Sequence, residues 1–597
     1  MVDGGPIDVL TGDWLAELTM YILHKTRQRS GGYARTFLRQ LEDVLPTCIE
    51  KGITVVANAG GLNPEGLADA VRELARRQGV DVMVASVSGD DITARVPEMQ
   101  AAGWPFTNLD TGEPLPPDAP LVTANAYLGA RPIADALGAG AQVVVTGRVT
   151  DASVIVGPAL HAFGWDDTDI DPIAGAVVAG HVIECGAQCC GGNYAFFSEI
   201  PNPGHLGFPI AEVHADGSSV ITKHPGTGGA VIVGTVTAQL LYEIGGPRYL
   251  SPDAIARFDT IALDQIGPDR VRISGVMGEP PPPTLKVTAN LEAGWRNAMT
   301  LAITGAQVED KARLAAEVVW ASVPGGRESF TDTSEDLSGD LTGEGIAFLR
   351  LAVSGDDEAA VGRGFSGAVV ETSLTSYPGT FFTSAPTQAQ AVARYWPTTV
   401  PASEVTACVN CDGITLAPSP RPLAWEDVAS PVTPVPSLPS AGSAATPDAA
   451  PSELIEVPLW VLVGGRSGDK GGDANVGLWA DAAPVAEWLL GMFDVAQFKE
   501  ALPEAAAFEV SRFELANLSA VNFVVHGILG WGVASNLRLD TQGKGLTELL
   551  RSRHVMVPSN LVASGKPSER FATIGRSERA RFDRGMEMPI PAVQVTE

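Results

Sequence analysis

The stretch Ile53-Thr54-Val55-Val56-Ala57-Asn58-Ala59-Gly60-Gly61-Leu62-Asn63-Pro64 decides the fold. Its first five residues are a short apolar, β-branched run; a polar, glycine-containing turn follows, and Asn63 then fits a helix cap with Pro64 in the first helical turn. Leu67, Ala70, Val71 and Leu74 continue as an apolar stripe at helical spacing. Strand, glycine turn and helix in that order form the repeating unit of a parallel sheet. Working outward, Ile7 to Leu10, Val80 to Ala85 and Ala141 to Thr146 read as further strands separated by amphipathic stretches. The fold class expected is α/β with a mostly parallel sheet. Open parallel sheets bind ligands beyond the carboxyl ends of their strands, so the turns there hold the site candidates.

The texture changes from about Phe208. Gly229 to Val236 is β-branched and glycine-rich, and Pro280 to Pro283 precede another strand, Thr284 to Ala289, so an α+β extension is expected. Between Ala429 and Ser452 six of 24 residues are proline and most others are Ala, Ser or Thr, a composition that stays extended. Three units follow: 1–428, a linker at 429–455, and a smaller α+β domain at 456–597 opened by a strand from Val457 to Gly464. No internal repeat of solenoid type is present.

Hydrophobic residues make up 45% and charged residues only 18%, which excludes a mostly disordered or coiled-coil chain. The formal charge of −30 repels phosphate backbones, and no basic run offsets it, so neither nucleic acid nor an anionic membrane is expected as a partner. An anionic small molecule held by individual arginines fits better. Six cysteines are too sparse for a disulfide framework, and neither a signal-peptide pattern nor an apolar run of about 18 residues occurs, so a cytoplasmic protein is expected.

No Walker A sequence, strand-following G-x-G-x-x-G, H-E-x-x-H or G-x-S-x-G is present, and no cofactor is expected. Asp167-x-Asp169-x-Asp171 imitates the start of a calcium loop, but Pro172 stands where that loop needs glycine. Cys408 and Cys411 have the spacing of half a zinc site that Cys185, Cys189 and Cys190 might complete; ordinary buried thiols are the simpler reading, and no metal is expected.

Thr146-Gly147-Arg148-Val149-Thr150-Asp151 leaves a buried strand, which puts Arg148 where a carboxylate or phosphate would lie. Asp151 is a base or a helix N-cap, and Asp13, in the turn after the first strand, has the same ambiguity. His181 and Glu184 at i, i+3 share one helix face: they move protons, the histidine kept charged by its neighbour and the glutamate raised by burial, or they form a core hydrogen bond. Gly191-Gly192-Asn193 suggests close approach of backbone to some other group. Pro225 to Ala230 offers a weak phosphate cradle. Gly464 to Gly477 packs six glycines with Arg466, Asp469, Lys470, Asp473 and Asn475; it is expected to be a binding or docking loop facing the first domain, since turns gain nothing from Arg and Lys.

Asp13 to Met20, Val56 to Pro64, Thr146 to Asp151, Gly180 to Gly186, Gly229 to Leu241 and Arg466 to Gly477 together resemble the acyclic terpene utilisation AtuA family over nearly the whole chain. The resemblance implies an α/β first domain, a ferredoxin-like C-terminal domain, and a place in bacterial breakdown of citronellol- and geraniol-type isoprenoids through CoA thioesters. Cys189-Cys190 depart from the small-residue and threonine pair of the family pattern. The reading that follows is a hydratase- or lyase-type enzyme working by proton transfer beside a thioester carbonyl. Arg148 holds an anionic group, His181 with Glu184 moves the proton, and Asn58 or Gly60-Gly61 donates hydrogen bonds to an enolate oxygen. The rival is a non-catalytic subunit that binds acyl-CoA or an acyl-CoA carboxylase subunit through the Arg466–Gly477 loop. A homo-oligomer is expected in either case.

Overall fold

Strands Val9–Gly12, Thr54–Ala57, Val143–Thr146 and Val84–Ser88 lie side by side in that spatial order, all parallel. Cys408–Cys411 joins antiparallel to Val84–Ser88, and Ile414–Thr415 closes the six-stranded sheet. The protein is described here by a computed structural model covering residues 1–417 and 453–573 except Ser376 and Ser564. The helix after the second strand is Pro64–Gln78, with Asn63 Oδ1 accepting from the Gly66 N–H at 3.0 Å. Its core face is Leu67, Ala68, Val71, Leu74 and Ala75. All four strands start later than the apolar runs suggest, at Val9, Thr54, Val84 and Val143.

The extension is built on one strand, Thr284–Thr304, far longer than the six residues legible in the sequence. Its first half pairs with Leu121–Ala126 and Gln390–Pro401; its second half pairs with Ile346–Gly355, across a bulge near Glu292 to Trp295. The polar residues Asn290, Glu292, Arg296 and Asn297 hide this strand from a hydrophobicity reading; Asn290 and Asn297 are nevertheless buried, donating to Thr123 Oγ1 and to the Val361 carbonyl. Pro209–Val213 and Ser219–Lys223 form a smaller antiparallel sheet with Ala262–Gly267 and Arg270–Ser274.

In the C-terminal part, Val463–Lys470 and Asp473–Ala480 pair as a hairpin, extended by Ala520–Val525 and Val510–Leu515, all antiparallel. This corrects the expected strand-then-loop order. The first strand, Leu454–Pro458, belongs to a separate pair with His554–Pro558, and Gly464 to Gly477 is itself the hairpin, turning at Gly471-Gly472. Glycines in place of β-branched residues concealed its strands. Most of the expected linker lies outside the described residues, and Leu454 already belongs to the C-terminal fold.

The two parts share a core. Trp479, Leu515, Leu518 and Ala520 pack in the same apolar cluster as Val177, Tyr194, Leu241 and Phe258, and Trp479 stacks on Tyr194 with ring centres 6.0 Å apart. Trp479→Ala is therefore expected to cost about 3–5 kcal/mol and to split one calorimetric unfolding transition into two. A single transition at the unaltered temperature would contradict the shared core.

Candidate active site

Because Val9–Gly12, Thr54–Ala57 and Val143–Thr146 are adjacent and parallel, the residues after each converge: Asp13, then Asn58, then Arg148. Asn58 Nδ2 donates to Asp13 Oδ1 at 2.5 Å, and Asn58 Oδ1 accepts the Trp14 N–H at 2.6 Å. From the fourth strand end comes Asp90, whose Oδ2 accepts the Arg148 main-chain N–H at 3.0 Å and an Asn125 Nδ2 hydrogen at 2.8 Å. Its other oxygen lies where a side chain on residue 147 would stand, which is why that residue is glycine.

Arg148 is buried, its Nη1 2.6 Å from Asp151 Oδ1 and its guanidinium over the Tyr127 ring at 4.0 Å. Burial opposes its charge, but Asp151, Tyr127 and Asp13 outweigh that and hold it protonated. Asp151 does not cap the helix Ser153–Phe163, whose first turn has no side-chain cap; it is the arginine's partner. Asp13 is exposed yet walled in by protein, so burial, with the nearby Asp151 charge, pushes its carboxyl up to about 7 against the pull of Arg148 and Asn58. Glu184 completes the group. Burial, then Asp151, Asp13 and Glu243, raise it well above the usual carboxylate range.

His181 sits beside Glu184 with Nδ1 3.5 Å from Oε1 and donates from Nε2 to the Gln239 carbonyl at 3.0 Å. Wedged against Tyr249 and Phe258, it is pushed down to about 4 by burial and by Lys470. The expectation of a charged histidine is thus corrected: burial lowers the hold of His181 on its proton while raising that of Glu184.

The expected hydrogen-bond donors are engaged elsewhere. Both amide groups of Asn58 position the Asp13 turn, the Gly60 N–H goes to Thr146 and the Gly61 N–H to Asn58. Gly61 is glycine for its φ of +53 and its contact with Leu23. Gly191 and Gly192 close a turn onto Gln188 and Ala187, and the Asn193 carbonyl accepts from Arg466 at 3.3 Å. The group approaching that turn is therefore the C-terminal hairpin.

That hairpin docks as expected. Arg466 reaches Gln188 and lies over Tyr242 at 4.3 Å; Lys470 Nζ donates to the Glu243 carbonyl at 3.1 Å. Asn475 bridges the Leu241 carbonyl at 2.6 Å and the Glu243 N–H at 2.9 Å, while Asp469 stays in strand register with Ala474. Lys470 thereby comes close enough to depress His181, and Lys286 reaches from the long strand to 4.8 Å from the Tyr127 ring that also carries Arg148. Sequence reading missed Tyr127, Glu243, Tyr249 and Lys286. Only Lys286 had a signal, as a lone cation inside an apolar strand.

Residues 1–411 match the family model described as acyclic terpene utilisation family protein AtuA, and residues 457–556 match the AtuA ferredoxin-like domain. The chain belongs to the AtuA family. Membership places it in acyclic terpene utilisation. No curated protein and no solved structure matches it.

Three lesser motifs of this AtuA chain resolve as local structure. Cys408 and Cys411 are i and i+3 on a strand and so point to opposite faces, and no metal-holding group of His, Cys, Asp and Glu occurs among the described residues. The N–H groups of Gly228, Gly229 and Ala230 go to the carbonyls of His205, Pro201 and Cys190, leaving no phosphate cradle. Asp167 pairs with Arg131 at 2.6 Å, and Asp171 accepts the Gly278 N–H. Among the described residues no helix is long and apolar enough to cross a membrane.

Proposed function

We propose that this AtuA-family chain is an enzyme of branched, isoprenoid acyl-CoA breakdown that moves a proton beside the thioester carbonyl, as a hydratase or lyase does. The observation that carries the reading is the convergence at three adjacent strand ends of Asp13, an exposed carboxyl that its surroundings push up to about 7, with Glu184, raised well above the usual carboxylate range, and Arg148, held charged by its acidic neighbours. A base works best when its pKa lies near the working pH, and two carboxyls driven apart by their surroundings make an acid and a base. In the dehydrating direction Asp13 takes the proton from the carbon next to the carbonyl and Glu184 protonates the leaving oxygen; in the hydrating direction both transfers reverse, Glu184 taking a proton from the incoming water and Asp13 giving one to the carbon. Arg148, tied to Asp151, holds the positive potential that favours the charge developing between them.

His181 is a positioning residue in this account, since both its burial and its Gln239 bond remove it from substrate. A carboxylase-partner or acyl-CoA-binding subunit is the alternative. It needs the Arg466–Gly477 segment as an outward docking surface, and that segment is taken up by contacts with Gln188, Asn193 and Leu241 to Glu243 of the same chain. Turnover of at least one member of a panel of isoprenoid acyl-CoA esters by the isolated protein is the expected result. Neither turnover nor binding across the panel would remove the proposal.

A further inference from the structure

The C-terminal sheet carries a second constellation that the proton-transfer account does not use. Asn475 and Ser511 each lie opposite Val524 on neighbouring strands, and two residues further along the same register, past the Ala474–Val525 pair, Asp473 comes beside His526. Asp473 Oδ2 is 2.8 Å from His526 Nδ1, and His526 Nε2 is 2.8 Å from Ser511 Oγ. The second Asp473 oxygen accepts the Gly527 N–H at 2.8 Å, which fixes the plane of the carboxylate. Asp473 is acceptor-only, so Nδ1 carries the imidazole proton and Nε2 is left to accept the serine hydroxyl hydrogen. This is the order acid, imidazole, hydroxyl that activates a serine for attack on an acyl carbon, a geometry recognised by roles and not by sequence position.

Its placement agrees with access. Asp473 follows the hairpin turn and is largely shielded, with 16% of its side chain exposed, whereas His526 is 39% exposed and Ser511 half-buried. Phe513, two residues on and about 7 Å along the strand, packs against Gly246 in the seam between the two parts. Next to this group Asp110, which accepts the Gly472 N–H at 2.9 Å, is raised by burial and the Asp473 charge and drawn back by that N–H, Lys286 and His526. Asn475 and Asn522, the neighbours on this sheet face, hold the docking seam; the Ser511–His526–Asp473 chain makes none of those contacts.

We infer that Ser511, His526 and Asp473 form an acyl-transfer site that hydrolyses carboxylic esters or thioesters. Ser511 Oγ adds to the carbonyl carbon as its proton passes to His526 Nε2. Collapse breaks the bond to the leaving thiol or alcohol, which takes that proton. Water then adds in the same way, releasing the carboxylic acid and restoring the hydroxyl. The substrate class comes from this chemistry alone and is independent of the proton-transfer reading.

Treatment of the full chain with a fluorophosphonate, followed by peptide mass spectrometry, tests it. The expected result is one adduct per chain at Ser511, absent in Ser511→Ala and slowed about 100-fold or more in His526→Gln. Hydrolysis of a p-nitrophenyl ester should fall by a similar factor in Ser511→Ala, a change that removes one hydroxyl from a strand and leaves the melting temperature in place. Absence of an adduct at Ser511 in the folded wild-type chain, or ester hydrolysis unchanged in Ser511→Ala, would overturn the inference.

Discussion

Arg148→Met should destabilise the protein by about 3–5 kcal/mol. Arg148 is the cation among Asp13, Asp151 and Glu184, fully enclosed and in contact with Asp151 at 2.6 Å. Replacing it by an apolar side chain of similar length preserves volume but leaves Asp151, 30% exposed, and the buried Glu184 without the cation that faces them, the costly half of breaking a largely enclosed ion pair. Chemical unfolding measures this directly. Adding Asp151→Asn to Arg148→Met should recover much of the loss, because the uncompensated charge is then gone. If Arg148→Met unfolds at the wild-type midpoint, the cluster is not organised by the arginine.

Asp13→Asn should lower turnover by about 10²–10⁴-fold while raising stability at alkaline pH. The sign follows from the raised carboxyl. The folded state holds the Asp13 proton up to about 7, whereas the unfolded chain releases it near the ordinary aspartate value of 3.8. Folding therefore gains from this group below about pH 4 and loses that gain as pH rises toward 7. Glu184 acts in the same direction. Asparagine cannot ionise, so the variant loses the Asp13 part of this slope and melts higher than wild type at pH 8. Turnover, which needs ionised Asp13, should rise with pH through about 7 in the wild type. A variant that is inactive yet less stable at pH 8 would indicate lost folding, contrary to the account.

How much of this was legible depends on periodicity. The Ile53 to Pro64 stretch carried the strand, the glycine turn, the Asn63 cap and the helix, and the rule that parallel sheets bind at carboxyl ends selected Asp13, Asn58 and Arg148 before any coordinates. Their division of labour was not legible. Whether Asn58 donates to a ligand or to Asp13, and whether Asp151 caps a helix or pairs with Arg148, depends on distances of a few ångströms across adjacent strands. Tyr127, Glu243 and Tyr249 arrive through tertiary packing, so no local pattern announces them. The hairpin at Val463–Ala480 was misread as a loop because its glycines, there to let Gly468 meet Tyr242 and Gly477 meet Leu241, suppress the alternation that marks a strand. The Ser511–His526–Asp473 chain joins three strands whose sequence spacing carries no motif.

The central claim is that Asp13 moves a proton on the carbon beside a thioester carbonyl. The direct measurement is incorporation of solvent deuterium at that carbon of an isoprenoid acyl-CoA ester, followed by mass spectrometry with wild-type protein and with Asp13→Asn at matched folded concentration. The account predicts exchange in the wild type that rises with pH through about 7 and is absent from Asp13→Asn; equal exchange in both proteins, or none in a wild type shown to bind the ester, would contradict it.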